Sequence, residues 1–139
     1  MWHTQHTLDT SAEPERIWDC LEAVSQWPDW DGGVAWAELA GPFSSGTRGR
    51  LKVPGQGTWR FQLSKVDARR SFTALFTLPL AKLRRIHAQE ASDMGTRVTQ
   101  RIEITGPLAW FYGLTRGRRL REGLAPALRT LARQAATSR

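Results

Sequence analysis

The sequence predicts an α+β fold in which seven antiparallel strands curve around one long C-terminal helix. Three observations carry that expectation. Residues Thr96 to Thr105 place Val98, Ile102 and Ile104 on one side and Arg97, Thr99, Arg101, Glu103 and Thr105 on the other, the period-two pattern of a strand with one wet face. Residues Leu108 to Ala136 set Leu120, Leu124, Ala127, Leu128, Leu131 and Ala135 in a stripe opposite arginines, the pattern of an amphipathic helix. At ~1.5 Å per residue that helix is about 40 Å long, and the concave face of a sheet is the one surface large enough to cover its stripe.

The remaining elements follow in order. Trp2 to Leu8 alternates weakly and reads as an entering strand. Ser11 is placed to cap a helix, and Glu13, Pro14 and Glu15 suit its first turn, where a missing proline N–H costs nothing and negative charge meets the positive end of the dipole. Ile17, Cys20, Leu21 and Val24 recur at helical spacing until Trp27-Pro28 stops the run after about three turns. Beyond the turn at Trp27 to Gly33, Val34 to Ala40 reads as a second strand. Arg48 to Val53 and Thr58 to Val66 flank Pro54-Gly55-Gln56-Gly57, whose glycines supply the positive backbone angles of a hairpin, with Trp59, Phe61 and Leu63 sharing a face. Asp67 to Arg70 turns into Ser71 to Thr77, where Phe72, Ala74 and Phe76 alternate. Leu78-Pro79 breaks that strand before Lys82 to Glu90, and Asp93-Met94-Gly95 turns into the strand at Thr96.

With 139 residues the chain suits one domain with one core and needs no disulfide or structural metal. Cys20, the only cysteine, lies on the apolar helix face and reads as a packing thiol. No run of eighteen apolar residues occurs and the N-terminus lacks a basic-then-apolar layout, so no membrane span is expected and the cytoplasm is the expected compartment. The formal charge of +7 comes mostly from arginines scattered over strands and the last helix, without the aromatic and basic order of an RNA-binding sheet or a recognition helix. No nucleic-acid partner is therefore expected. Arg116, Arg118, Arg119 and Arg121 form the densest basic group and the one candidate for an anion site.

The pattern Ala12-x-Pro14-x-x-Ile17-Trp18 followed by Trp27-Pro28-x-Trp30 resembles the opening of the START-like, or SRPBCC, superfamily, which includes polyketide cyclases and lipid-transfer domains. Gly41-Pro42 and Gly46-Thr47-Arg48-Gly49 stand where such proteins turn between their second and third strands. Gly106-Pro107-Leu108-Ala109 stands where the last strand hands over to the C-terminal helix, so the resemblance covers essentially the whole chain. It implies the helix-grip version of the fold, with two short helices after the first strand and a cavity between sheet and C-terminal helix. It implies binding or transport of a small hydrophobic ligand, lipid-like or aromatic and polyketide-like, by a monomer or homodimer. The enzymatic alternative is a polyketide cyclase, aromatase or dehydratase acting in the same cavity; a third reading is an interaction module that uses the basic helix face.

Candidate residues are read on that frame. Trp36, Trp59, Trp110, Phe61, Phe76 and Phe111 fall on elements that surround the cavity in the superfamily, where rings either stack on a ligand or pack the core. Gly113 and Gly117, one turn apart, each cost the helix about 1 kcal/mol relative to alanine. They leave room for a ligand, let the backbone approach a bulky strand residue, or mark a break in the helix near Gly113 to Gly117. Gln100, in line with Val98 and Ile102, is expected to point inward and to bond a ligand or a core network. An enzyme would need an inward acid–base pair, for which His87, Arg60, Glu38 and Tyr112 are the candidates; His87 reads either as an inward base or as a surface imidazole beside Arg85. His3 and His6 face opposite sides of a strand, so no metal site is expected. Gly55-Gln56-Gly57 lacks the third glycine and the helix of a dinucleotide fingerprint, and no cofactor is expected.

Overall fold

The computed structural model describes residues 1–137. In chain order they form β1 (Trp2–Thr10), α1 (Pro14–Glu22), a 3-10 segment (Val24–Asp29), β2 (Trp36–Leu39), β3 (Arg48–Val53), β4 (Gly57–Asp67), β5 (Ser71–Leu78), β6 (Ala81–Ser92), β7 (Gly95–Thr105) and α2 (Ala109–Thr137). The strands make one antiparallel sheet in the order β1-β7-β6-β5-β4-β3-β2. Strands β2 to β7 are thus a run of hairpins, while β1 closes against β7 at the far edge. The chain from Ser11 to Ala35 must therefore cross from one edge of the sheet to the other, and α1 with the 3-10 segment makes that crossing. This is the helix-grip architecture expected from the sequence.

Alternation decides what each strand buries. On β7, Thr96, Val98, Gln100, Ile102 and Ile104 are buried, and on β6 Leu83, His87 and Gln89 are. The α2 stripe of Leu124, Ala127, Leu128, Leu131 and Ala135 is buried as well, and each such leucine contributes about 1.5–3 kcal/mol by leaving water. Under the crossing segment, Trp27 stacks on Phe61 and Phe72 with centroids 5.7 and 6.3 Å apart. Cys20 is half-buried against this core, and burial raises its thiol pKa, as suits a packing thiol.

The first helical stretch is not the single helix its spacing suggests but two short helical segments, as the resemblance implies. Helix α1 stops at Glu22 and the chain continues as a 3-10 segment with Pro28 inside it; Trp27 Nε1 donates to the Leu21 carbonyl at 2.9 Å and ties the two together. Nor does Ser11 cap. Strand β1 runs on to Thr10, paired with Thr96, so the cap position moves to Glu13, whose side chain makes no capping bond. Strand β2 is shorter than the span read from Val34 to Ala40, with Ala35 and Ala40 just outside it each still donating a backbone N–H to β3, to the Lys52 and Arg48 carbonyls at 2.7 and 2.8 Å.

Helix α2 runs unbroken through Gly113 and Gly117, and of the readings open for them the close approach to a bulky strand residue holds, so they leave no room for a ligand. A Cβ at Gly113 would lie 2.6 Å from Trp2 Cδ1, and one at Gly117 would lie 2.7 Å from Trp2 Cζ2. The glycines let the helix backbone sit on the β1 indole. Gly123 is different, with nothing within 4 Å of its Cβ position. Urea unfolding should accordingly give opposite signs for one substitution: Gly123→Ala gains about 1 kcal/mol from helix propensity, while Gly113→Ala loses about 1–2 kcal/mol to the clash with the ring.

Candidate functional site

Helix α2 packs on β1, β7 and α1, which leaves a wedge between it and the β3 to β5 side of the sheet. The wedge holds a cavity of about 150 Å³. Leu51 and Val53 of β3, Trp59 of β4, Phe76 of β5, Leu83 of β6 and Ile102 of β7 form its sheet wall, each an inward position of a period-two strand. Val34 closes one side, and Leu120, Gly123 and Leu124 of α2 form the opposite wall.

Two charged side chains stand in this apolar lining. Arg85 on β6 meets Asp31 at 2.7 Å, with side chains 26% and 9% exposed. Asp31 is held by the turn it makes, since its other oxygen accepts the Gly33 N–H at 2.9 Å. Arg85 also donates to Gln100 Oε1 at 3.3 Å, which leaves the Gln100 amide nitrogen facing His87 Nδ1 at 3.4 Å. His87 Nε2 lies 3.0 Å from Gln89 Oε1, and the Gln89 amide donates to the Pro14 carbonyl at 2.8 Å.

The donors assign the imidazole tautomer. Arginine has no acceptor, so Gln100 must offer Oε1 to it and an N–H to His87; Gln89 must likewise offer Oε1 to His87 Nε2–H. His87 is therefore neutral with its proton on Nε2. Burial pushes its pKa down to about 4, with the Gln89 bond opposing and the Arg85 charge adding to the fall. The ring is stacked on Phe72 and 2% exposed, behind the cavity wall rather than in it.

At the mouth, Arg116 reaches from α2 to the β3–β4 hairpin, where it hydrogen-bonds Gln56 Oε1 and lies 5.5 Å from the Trp59 ring centroid. Arg119, one turn on, also lines the opening. The other arginines of that dense group turn elsewhere: Arg118 pairs with Glu122 at 3.0 Å, and Arg121 lies over the Trp2 ring.

Among the ring and glycine candidates, Trp59 and Phe76 line the cavity. Phe61 is buried against Trp27 and Phe76. Gln100 points inward as its place in the alternation requires, and it acts on the cavity through Arg85. Trp36 does not line the cavity: it opens β2 on the exposed side under the Arg50 guanidinium, because Ala37 takes the inward position. Trp110 and Phe111 are 63% and 44% exposed, since Ala109 and Tyr112 occupy the buried positions of that turn.

The four acid–base candidates do not converge. Glu38 is ion-paired with Arg50 in solvent, and Arg60 is exposed on β4. Tyr112 is buried with its hydroxyl donating to the Pro79 carbonyl at 3.1 Å. His87 is inward, not at the surface, and both ring nitrogens are engaged. A larger concavity of about 590 Å³ runs along β4 and the end of β5, where Arg48, Thr58, Arg60 and Gln62 meet water. It is an open groove, whereas the smaller space is walled on both sides and is the better candidate site. Among the described residues, no group of three or more His, Cys, Asp or Glu side chains is placed to hold a metal ion, and no helix is long and apolar enough to cross a membrane.

Asp31, Gln56 and Arg85 are polar lining residues that were not among the expected positions, while Arg116 and Arg119 come from the basic group read as a candidate anion site. A signal for Arg85 exists in Leu83-x-Arg85-x-His87-x-Gln89: once Leu83 faces inward, every second residue follows.

The family described as polyketide cyclase/dehydrase and lipid transport matches residues 1–136. No curated protein matches the chain. Among solved structures, a Thermus thermophilus protein shares 17% identity at a TM-score of 0.77, over 99% of this chain and 100% of that one. The di-domain ARO/CYC StfQ from the steffimycin biosynthetic pathway shares 14% at 0.77, over 96% of this chain and 50% of its own. The Aha1 dimer from Colwellia psychrerythraea shares 14% at 0.74, over 100% and 99%. At these identities the likeness concerns the fold.

Proposed function

The chain belongs to the polyketide cyclase/dehydrase and lipid-transport family, and from that premise we propose that it binds a small apolar ligand between its sheet and α2. The observation that carries this reading is the cavity itself, about 150 Å³ of space walled mainly by aliphatic and aromatic side chains. That volume corresponds to about one benzene-sized ring or a short acyl segment. Displacing the contents of such a space with an apolar group is favourable at about 25 cal/mol per Å² of apolar surface removed from water.

Binding is favoured over turnover by the placement of the acid–base groups. General acid–base catalysis needs a proton-transfer group within hydrogen-bond reach of the reacting atom. Here Glu38 and Arg60 lie in solvent, while Tyr112 and His87 spend their polar atoms on protein partners. The test is calorimetric titration of the purified protein with neutral apolar probes, 3-phenylpropanol and 1-octanol, alongside native mass spectrometry for a co-purifying molecule. The natural chain should bind at least one probe. Gly123→Phe, which adds a ring at a position clear of other atoms within 4 Å, should weaken binding at least tenfold while the fold persists. If the natural chain binds neither probe and carries no molecule, the reading is wrong.

A further inference from the structure

We infer that the ligand of this cavity is an anionic amphiphile, with its carboxylate at the mouth between Arg116 and Arg119 and its apolar end against Leu83, Ile102 and Leu124. The inference rests on the binding role proposed above and adds the charge and orientation of what is bound. It starts from a charge count over the lining, in which three arginines, Arg85, Arg116 and Arg119, face one carboxylate, Asp31. The net is +2, and it is unevenly placed. Arg85 and Asp31 are in contact at 2.7 Å, and Arg85 gives a second N–H to Gln100, so the floor is a closed, neutral unit.

The excess lies at the mouth. Arg116 has two partners, the Gln56 amide oxygen and the Trp59 ring face, and both are uncharged. Neither Arg116 nor Arg119 takes part in any ion pair among the described residues. The two are three residues apart on α2, so their side chains project from adjacent turns of one face. Gly123, one turn further, carries no side chain to cover the approach. Each guanidinium is a planar fork of N–H donors that matches the two oxygens of a carboxylate.

Orientation follows from desolvation. A carboxylate driven to the floor would shed part of its water and meet Asp31, a like charge that already holds the Arg85 guanidinium at 2.7 Å. At the mouth it keeps part of its hydration and meets two cations that have no counter-ion. The apolar end is then left to the aliphatic interior, which has no charged group beyond the closed Arg85–Asp31 pair.

Matched probes separate this inference from the reading beneath it. Calorimetry is run at low ionic strength with 3-phenylpropionate against 3-phenylpropanol, and with octanoate against 1-octanol. Each acid should bind about tenfold more tightly than its alcohol, the worth of a charge-assisted contact, and added salt should shrink that ratio. In the Arg116→Gln, Arg119→Gln double variant the ratio should fall to about one while alcohol affinity is retained, which also shows that the variant is folded. Equal binding of acid and alcohol by the natural chain would leave the apolar site standing and overturn this inference. An acid preference that survives the double substitution but is lost in Arg85→Met would overturn it too, by moving the anion to the floor. Failure of all four probes to bind, with no molecule co-purifying, would overturn both.

Discussion

Lowering the pH from 6.5 to about 4 is expected to remove about 3 kcal/mol of stability through His87 alone, in a window where the folded imidazole refuses a proton that the unfolded one accepts. The folded pKa of about 4 lies below the ordinary 6.5, so the unfolded chain binds more protons between these values. The contribution is fully present above pH 6.5, falls as the pH drops, and levels off below about 4. The cause is geometric as well as dielectric. A proton on Nδ1 would face the Gln100 amide N–H, and Gln100 cannot turn without breaking its bond from Arg85. Urea midpoints measured from pH 7.5 to 5 should decline, and His87→Gln should flatten the part above pH 5, where few carboxylates titrate. A histidine NMR titration showing His87 at an ordinary pKa would refute this account.

Asp31→Ala is expected to cost about 3 kcal/mol. It strips the Arg85 guanidinium of its counter-charge inside the cavity and removes the oxygen that accepts the Gly33 N–H. The figure sits at the low end for a broken buried pair because Arg85 is 26% exposed and water can partly compensate. Asp31→Asn keeps the acceptor for Gly33 and should cost about half as much. The pair should also show coupling: combining Asp31→Ala with Arg85→Met should cost less than the sum of the single changes, because the double variant buries no lone charge. Additive costs in a denaturation cycle would mean that the 2.7 Å contact contributes little.

Much of the scaffold was legible because it is written in local periodicity. The alternation of β7, the stripe of α2 and the glycine and proline turns between strands depend on near neighbours in the chain, and the boundaries read from them fall within two residues of those observed. The resemblance carried by Ala12 to Trp18 and Trp27 to Trp30 led to the correct family and fold. The site was far less legible. Trp36 and Trp110 are aromatic residues on the right elements but the wrong faces, and one residue of register at β2 or one step around α2 turns a ring from cavity to solvent.

The glycines make the same point from the other side. Gly113 and Gly117 signal close packing or empty space with equal force, and the choice belongs to Trp2, more than a hundred residues away, whose indole lies over both. Sequence alone determined the strand count, the long terminal helix and the cationic excess of its arginines, since each is a property of composition or short-range order. Tertiary structure alone decided that Arg85 is neutralised by Asp31 while Arg116 and Arg119 are not. Whether a charge is compensated depends on what packs within a few ångströms of it, and that contact is made by chain segments far apart in sequence.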